Sequence, residues 1–332
     1  MPLENLVAGV GLLAVIAYAV LGGADFGGGI WDVFASGPRR EAQRTAIAGA
    51  MGPVWEANHV WLIFVIVILF TAFPTAFAAL SVALFIPFHL ALLGIILRGT
   101  AFVFRAYSPV HGGAGARGWG VIFGVASVMT PLALGMALGA VSAGQLRVSG
   151  GEVLPGGASS WLTPLSLAMG ALALALCAYL AAVFLSNETA GALREDFRRR
   201  ALLAGTAVVG LSALALPLLY IAAPHLWGGL LSLRAAPALG IGTIAALLSG
   251  WALARRRYRL ARISAVAQII CLLAGWGLAQ YPYLIFPDVT LSAAAAGPGT
   301  LAFVLYSLPI GMALLLPSLW LLFRVFKGEY IR

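Results

Sequence analysis

The chain has 332 residues, 62% of them hydrophobic and only 9% charged, with a mean hydropathy of +1.00. Soluble domains carry about 25% charged residues, so this sequence lacks the charge to cover a water-facing surface. Apolar runs of about 20 residues, the length of a bilayer-crossing helix, recur from end to end. A barrel is disfavoured, because its strands would alternate polar and apolar over about 10 residues. The net charge of +9 is placed as a membrane orientation signal rather than as a nucleic-acid surface.

In chain order, nine spans are expected, at about 3–23, 53–73, 76–104, 119–142, 162–186, 201–222, 236–254, 260–281 and 300–324. The fold class is therefore an all-α, polytopic membrane bundle, with residues 1–332 as one transmembrane domain and no separate soluble domain. The N-terminal stretch MPLENLVAGV lacks the basic region of a cleaved signal peptide, so span one is expected to remain as an anchor. Pro217, Pro224 and Pro237 interrupt spans six and seven. Alternate connections carry 17 of the 20 basic residues, among them Arg39, Arg40, Arg44, Arg105, the Arg198–Arg200 run and the Arg255–Arg257 run. Cytoplasmic loops hold the Lys/Arg excess, which predicts an outer N-terminus and a cytoplasmic C-terminus.

The residues that stand out are polar ones near the inner face. Asp25, in LGGADFGGG, lies at the cytoplasmic end of span one. Glu56, in PVWEANHVWLIFV, lies about 5 Å inside the membrane at the start of span two. Arg98, in GIILRGTAF, approaches the same face on span three. Each has an ordinary reading: Arg98 as a side chain snorkelling to headgroups, Asp25 as a glycine-favoured loop residue, Trp55 and Trp61 as interfacial belt residues. An acid inside a span carries an insertion penalty of about 2.5–3.5 kcal/mol and usually faces a partner or a wet path. Together the three form a candidate proton route, with Asn58 and His59 beside Glu56.

Glu56 and His59 share a helical face at i, i+3. Di-iron bundles use that spacing, but they need a second E-x-x-H and two more glutamates, which this sequence lacks. His89, His111 and His225 are not singled out as haem ligands. Lys327 is the only lysine and sits in the tail, which excludes a Schiff base within the bundle. Cys177 and Cys271 lie in apolar segments and read as free thiols, with no disulfide or cysteine-based zinc framework. A stand-alone proton-coupled secondary transporter, with Asp25, Glu56 and Arg98 as coupling residues, is the competing reading from these residues. A structural membrane scaffold is a third.

The stretches AVLGGADFGGGIWD, PVWEANHVWLIFVIVILFTAFPTAFA, PFHLALLGIILRGTAFVFR and AQYPYLIFPDVTLSAAAAGPGTL resemble, in order and across nearly the whole chain, subunit II of cytochrome bd-type quinol oxidases. The resemblance implies a nine-helix, non-catalytic subunit in the bacterial cytoplasmic (inner) membrane. Its partner is a larger subunit I that carries haem b and haem d, oxidises quinol and reduces oxygen to water. A small single-span accessory subunit, membrane lipid and a structural quinone in this chain are further possibilities it raises. It associates the positions of Asp25, Glu56 and Arg98 with cytoplasmic proton uptake at the subunit interface. Three departures from the family pattern are visible: Gly22 stands where D-G-F-D-x-G has its first acid, Glu56 replaces an aspartate, and His59 occupies a place more often Glu or Gln.

Overall fold

Proline and short polar turns cut the apolar runs into helices, and several helices continue well past the apolar boundary. The computed structural model describes residues 2–107, 114–154 and 157–328, with side chains throughout except at 51–53, 56, 106–107, 114–117, 157–158, 323 and 326–328. The long helices are α1 (Leu3–Val33), α2 (Arg40–Ala72), α4 (Phe85–Tyr107), α5 (Ala114–Ser142), α6 (Pro164–Glu188), α7 (Gly191–Ala222), α9 (Ala236–Ala254), α10 (Tyr258–Gln280) and α12 (Pro298–Gly328). Short helices α3 (Pro74–Ala83), α8 (Pro224–Leu230) and α11 (Leu291–Ala294) lie between them. Among the described residues, eight helices are long and apolar enough to cross a membrane, or nine if α2 with α3 is one bent span.

Two expectations are corrected here. The third span does not run unbroken over 76–104. Pro74 occupies the first turn of α3 and supplies no backbone N–H, and it forces Phe73 out of helical geometry (φ −134°, ψ 56°). The chain turns by 118° between α2 and α3, and the third crossing helix begins at Phe85. Asp25 is not a loop residue: α1 carries helix through the glycines to Val33. Glycine-rich sequence is poor helix former, but here packing decides. A Cβ at Gly27 would collide with the carbonyl oxygen of Cys177 and lie 2.7 Å from the Ala181 Cβ, so only glycine lets α1 and α6 approach this closely.

Helix α1 is central and packs against α2, α5, α6, α10 and α12. One apolar core joins Trp31, Phe123, Leu180, Phe197 and Leu253. A second joins Val7, Ile68, Phe73, Leu84, Leu146 and Ile285 at the opposite end. There, two small antiparallel hairpins close the bundle: β1 (Val148–Ser149) with β2 (Glu152–Val153), and β3 (Tyr283–Ile285) with β4 (Val289–Thr290). Arg147 and Asp288 bridge them at 2.7 Å.

The arginine-rich turns gather at one end. Arg39 binds Asp196 of α7 through two bonds of 2.7 and 2.6 Å, and Arg198 reaches the carbonyl of Leu253 at 3.5 Å. The turns after α1, α6 and α9 are thereby joined. At this end α1, α2 and α7 project beyond the apolar stretches, by about 15 Å for a ten-residue extension at 1.5 Å per residue.

Candidate functional site

Three neighbouring helices place the site. Asp25 faces inward from α1 and is 1% exposed; Arg98 faces inward from α4 and is 2% exposed. The guanidinium grips the carboxylate with both branches, Nη1 to Oδ2 at 2.7 Å and Nη2 to Oδ1 at 2.8 Å. Nη2 also donates to the Asp25 carbonyl oxygen at 3.0 Å, and Nε donates to Ser127 Oγ of α5 at 3.1 Å. The rings of Phe26 and Phe123 lie 5.1 and 4.9 Å from the guanidinium carbon. Arg98 therefore does not snorkel. Its charge is held inside the protein by a fork-to-fork pair, the strongest form of such a contact.

The same geometry repeats seven residues along both helices. Asp32, 3% exposed, receives Arg105 Nη1 at 2.9 Å and Nη2 at 3.2 Å, with Arg44 Nε of α2 at 3.8 Å. Seven residues are close to two helical turns, so Asp25 and Asp32 share one face of α1 about 10.5 Å apart, as Arg98 and Arg105 do on α4. Phe123 sits beside both guanidiniums, 4.9 Å from that of Arg98 and 5.2 Å from that of Arg105. Sequence reasoning missed the second pair. Its signal was present as D-x6-D in one helix and R-x6-R in another, but Arg105 reads as one more positive residue of an inner loop.

On the α2 side, Asn58 is 1% exposed. A Cβ at Gly22 would lie 3.0 Å from Asn58 Oδ1, so the amide packs against the position where the family pattern has its first acid. That Oδ1 is buried without a hydrogen-bond partner, as is the Tyr18 hydroxyl, seven residues before Asp25 on α1. Each such orphaned atom is unfavourable by about 1–3 kcal/mol unless water reaches it, which marks the region around Asp25 as polar and hydratable. His59 donates from Nδ1 to the Trp55 carbonyl, 2.7 Å away. Both Asn58 and His59 lie within electrostatic reach of Asp25.

The Glu56 side chain lies outside the described residues, although its backbone belongs to α2. Trp55 is half-buried. It stacks on Phe102 of α4 with ring centroids 6.1 Å apart and touches Gly99. Of the other histidines, His89 is exposed on α4 and bonds the Phe85 carbonyl, while His225 stacks on Phe286 at 4.0 Å. His111 lies outside the described residues. Among the described residues no three His, Cys, Asp or Glu side chains converge as a metal site. Cys177 and Cys271 are free thiols.

The sequence profile of the cytochrome bd terminal oxidase subunit II family matches residues 3–326. The chain belongs to that family. A putative cytochrome bd menaquinol oxidase subunit II of Bacillus subtilis (strain 168) is 23% identical, over 96% of this chain and 94% of its own length. The chain spans about half the length of two other relatives, each 28% identical. Cytochrome bd ubiquinol oxidase subunit 2 of B. subtilis (strain 168) is matched over 56% of this chain and 54% of its own length. Cytochrome bd-I ubiquinol oxidase subunit 2 of Escherichia coli (strain K12) is matched over 62% and 54%. Among solved structures, a chain of the bd oxidase from Geobacillus thermodenitrificans superposes with a TM-score of 0.83, at 24% identity over 98% of this chain and 99% of that one. The likeness to that chain extends over the whole helical fold. Neither fold nor family supports a stand-alone transporter.

Proposed function

We propose that this chain is the haem-free second core subunit of a bd-type quinol oxidase in a bacterial inner membrane, with its N-terminus outside and its C-terminus cytoplasmic. It packs against a haem-bearing subunit I, where haems b and d supply the redox chemistry of quinol oxidation and oxygen reduction. Its own part is to complete that partner's fold and to pass protons from the cytoplasm through Asp25, Arg98 and Glu56, with Asn58 and His59 ordering the path. The gathering of the arginine-rich turns at one end supports the orientation.

The observation that carries the proton reading is the buried Asp25–Arg98 pair. A carboxylate deep in a membrane bundle needs either a permanent cation or a proton, and this one has the cation beside it. A proton arriving on the carboxylate leaves the arginine charge uncompensated until the proton moves on, so the site favours transfer over storage. Glu56, carried on α2, is the second titratable group of this reading.

The test is purification of the tagged chain from its native membrane in mild detergent, with a reduced-minus-oxidised spectrum and identification of the chains that come with it. A stoichiometric haem-bearing partner is expected. In that preparation Glu56→Ala should slow oxygen reduction and proton uptake by about a hundredfold, the lower end for loss of a positioned proton-transfer group, with the haem spectrum intact. A stable chain without a haem-bearing partner would sink the oxidase assignment. Unchanged turnover in the variant would remove the proton route alone.

A further inference from the structure

A crevice of about 410 Å³ opens between α1, α6 and α7 at the arginine-rich end, lined by Ile30, Trp31 and Phe34, by Ala178 and by Leu203 and Ala207. Its few polar groups are already used within the protein. Trp31 Nε1 donates to the Ala178 carbonyl at 2.7 Å, and the Thr206 hydroxyl donates to the Leu203 carbonyl at 2.7 Å. A headgroup would find little to bond inside, whereas a polymethylene chain meets aliphatic and aromatic surface.

The rim has the opposite character. Arg200 lies over the ring of Trp31 at 5.4 Å and over that of Phe197 at 5.5 Å. Its Nη2 donates to the Phe34 carbonyl at 3.1 Å and to Gln43 Oε1 at 2.7 Å, both neutral acceptors, and its Nη1 has no partner. Asp196, the acid one turn before it, is occupied by Arg39 at 2.6 Å and by Gln43 Nε2 at 3.1 Å. Among the described residues no carboxylate stands within 4.0 Å of Arg200. Arg39 and Arg199, 48% and 75% exposed, are themselves paired, with Asp196 at 2.6 Å and Glu195 at 3.6 Å.

We propose that this crevice seats one acyl chain of an anionic phospholipid of the cytoplasmic leaflet, with its phosphate drawn to Arg200. Two observations decide the occupant. The slot is apolar and self-satisfied, which suits a hydrocarbon chain. The rim carries a cation with no carboxylate in direct contact, and a phosphate answers that where a neutral quinone head does not. Basic pockets between helices at the cytoplasmic face are recurring sites for anionic headgroups, and arginine binds phosphate through paired donors. The bound lipid would seal the α1–α6–α7 junction, and this assignment stands apart from the proton route.

The experiment counts lipids on the purified complex by native mass spectrometry after detergent exchange, then after reloading from micelles of phosphatidylglycerol or of phosphatidylcholine. The wild type should retain one phosphatidylglycerol per complex that Arg200→Gln loses by about tenfold in affinity, the worth of one charge-assisted contact. Arg200→Lys should keep most of it. Ala207→Leu, which fills the slot and leaves the Arg200–Gln43 clasp intact, should also expel it, so the proposal remains testable if Arg200→Gln fails to fold. Arg199→Gln is the control that should retain it. Equal retention in the wild type and Ala207→Leu, equal uptake of both lipids, or a quinone recovered from the slot would each overturn the assignment.

Discussion

Asp25 and Arg98 hold each other through three polar contacts, with both side chains almost wholly buried. Arg39 with Asp196, half-exposed at the end of the bundle, belongs to the class of solvent-screened surface pairs that add little. For a buried pair the larger quantity is the penalty for leaving one charge alone, about 3–5 kcal/mol. Asp25→Asn is therefore expected to lower stability by that order, and Arg98→Gln likewise. The double variant Asp25→Asn/Arg98→Gln removes both charges and should recover much of the loss, measured as the thermal midpoint in detergent. Proton uptake separates structure from function in that double variant: a conduit stays lost although stability returns, whereas a purely structural staple gives back turnover along with stability. Asp25 and Arg98 were legible in the sequence because charges within apolar runs are rare and conspicuous. Tyr18 and Asp32 were not, since a tyrosine in an apolar helix and an acid near a helix end are ordinary until their neighbours are known.

At the scale of the element, α1 shows how packing overrides local preference. The run Gly27–Gly28–Gly29 should weaken a helix, yet α1 continues through it because α6 approaches there closely enough to exclude side chains. Gly27→Ala is expected to force α1 and α6 apart and to lower stability by about 1–3 kcal/mol, the usual range for overpacking. Gly9→Ala, on the same helix with open space at its Cβ, should be neutral or slightly stabilising through helix propensity. Thermal midpoints of the two variants check this directly, and equal effects would contradict the close-approach account. The α2–α3 corner carries a complementary lesson. Pro74 was visible, but an apolar run on both sides of it reads as continuous span. Only the backbone direction after Phe73 shows that the run is split between a short helix and a new crossing.

On the scale of the whole molecule, charge and packing agree on polarity. The turns after α1, α6 and α9 are fastened to one another by arginine contacts at one end, while Arg147 and Asp288 fasten the hairpins at the other. If the first end is cytoplasmic, a cysteine introduced at Gly150 should react with a membrane-impermeant thiol reagent in intact cells. One introduced at Arg256 should react only after the membrane is opened. The reverse pattern would invert the orientation. Sequence by itself determined the bundle class, the approximate number of spans, which turns share an end and the family pattern. Those properties follow from where apolar length and positive charge fall along the chain, which the bilayer reads locally. Tertiary structure alone decided that α1 crosses its glycines as helix, that Phe73–Pro74 is a corner, and that Asp25 with Arg98 and Asp32 with Arg105 form two parallel bridges against Phe123. It also decided that Asn58 fills the space beside Gly22 and that Arg200 guards an apolar slot. These depend on which helix faces meet, and long-range packing sets that at distances along the chain where local patterns carry no information.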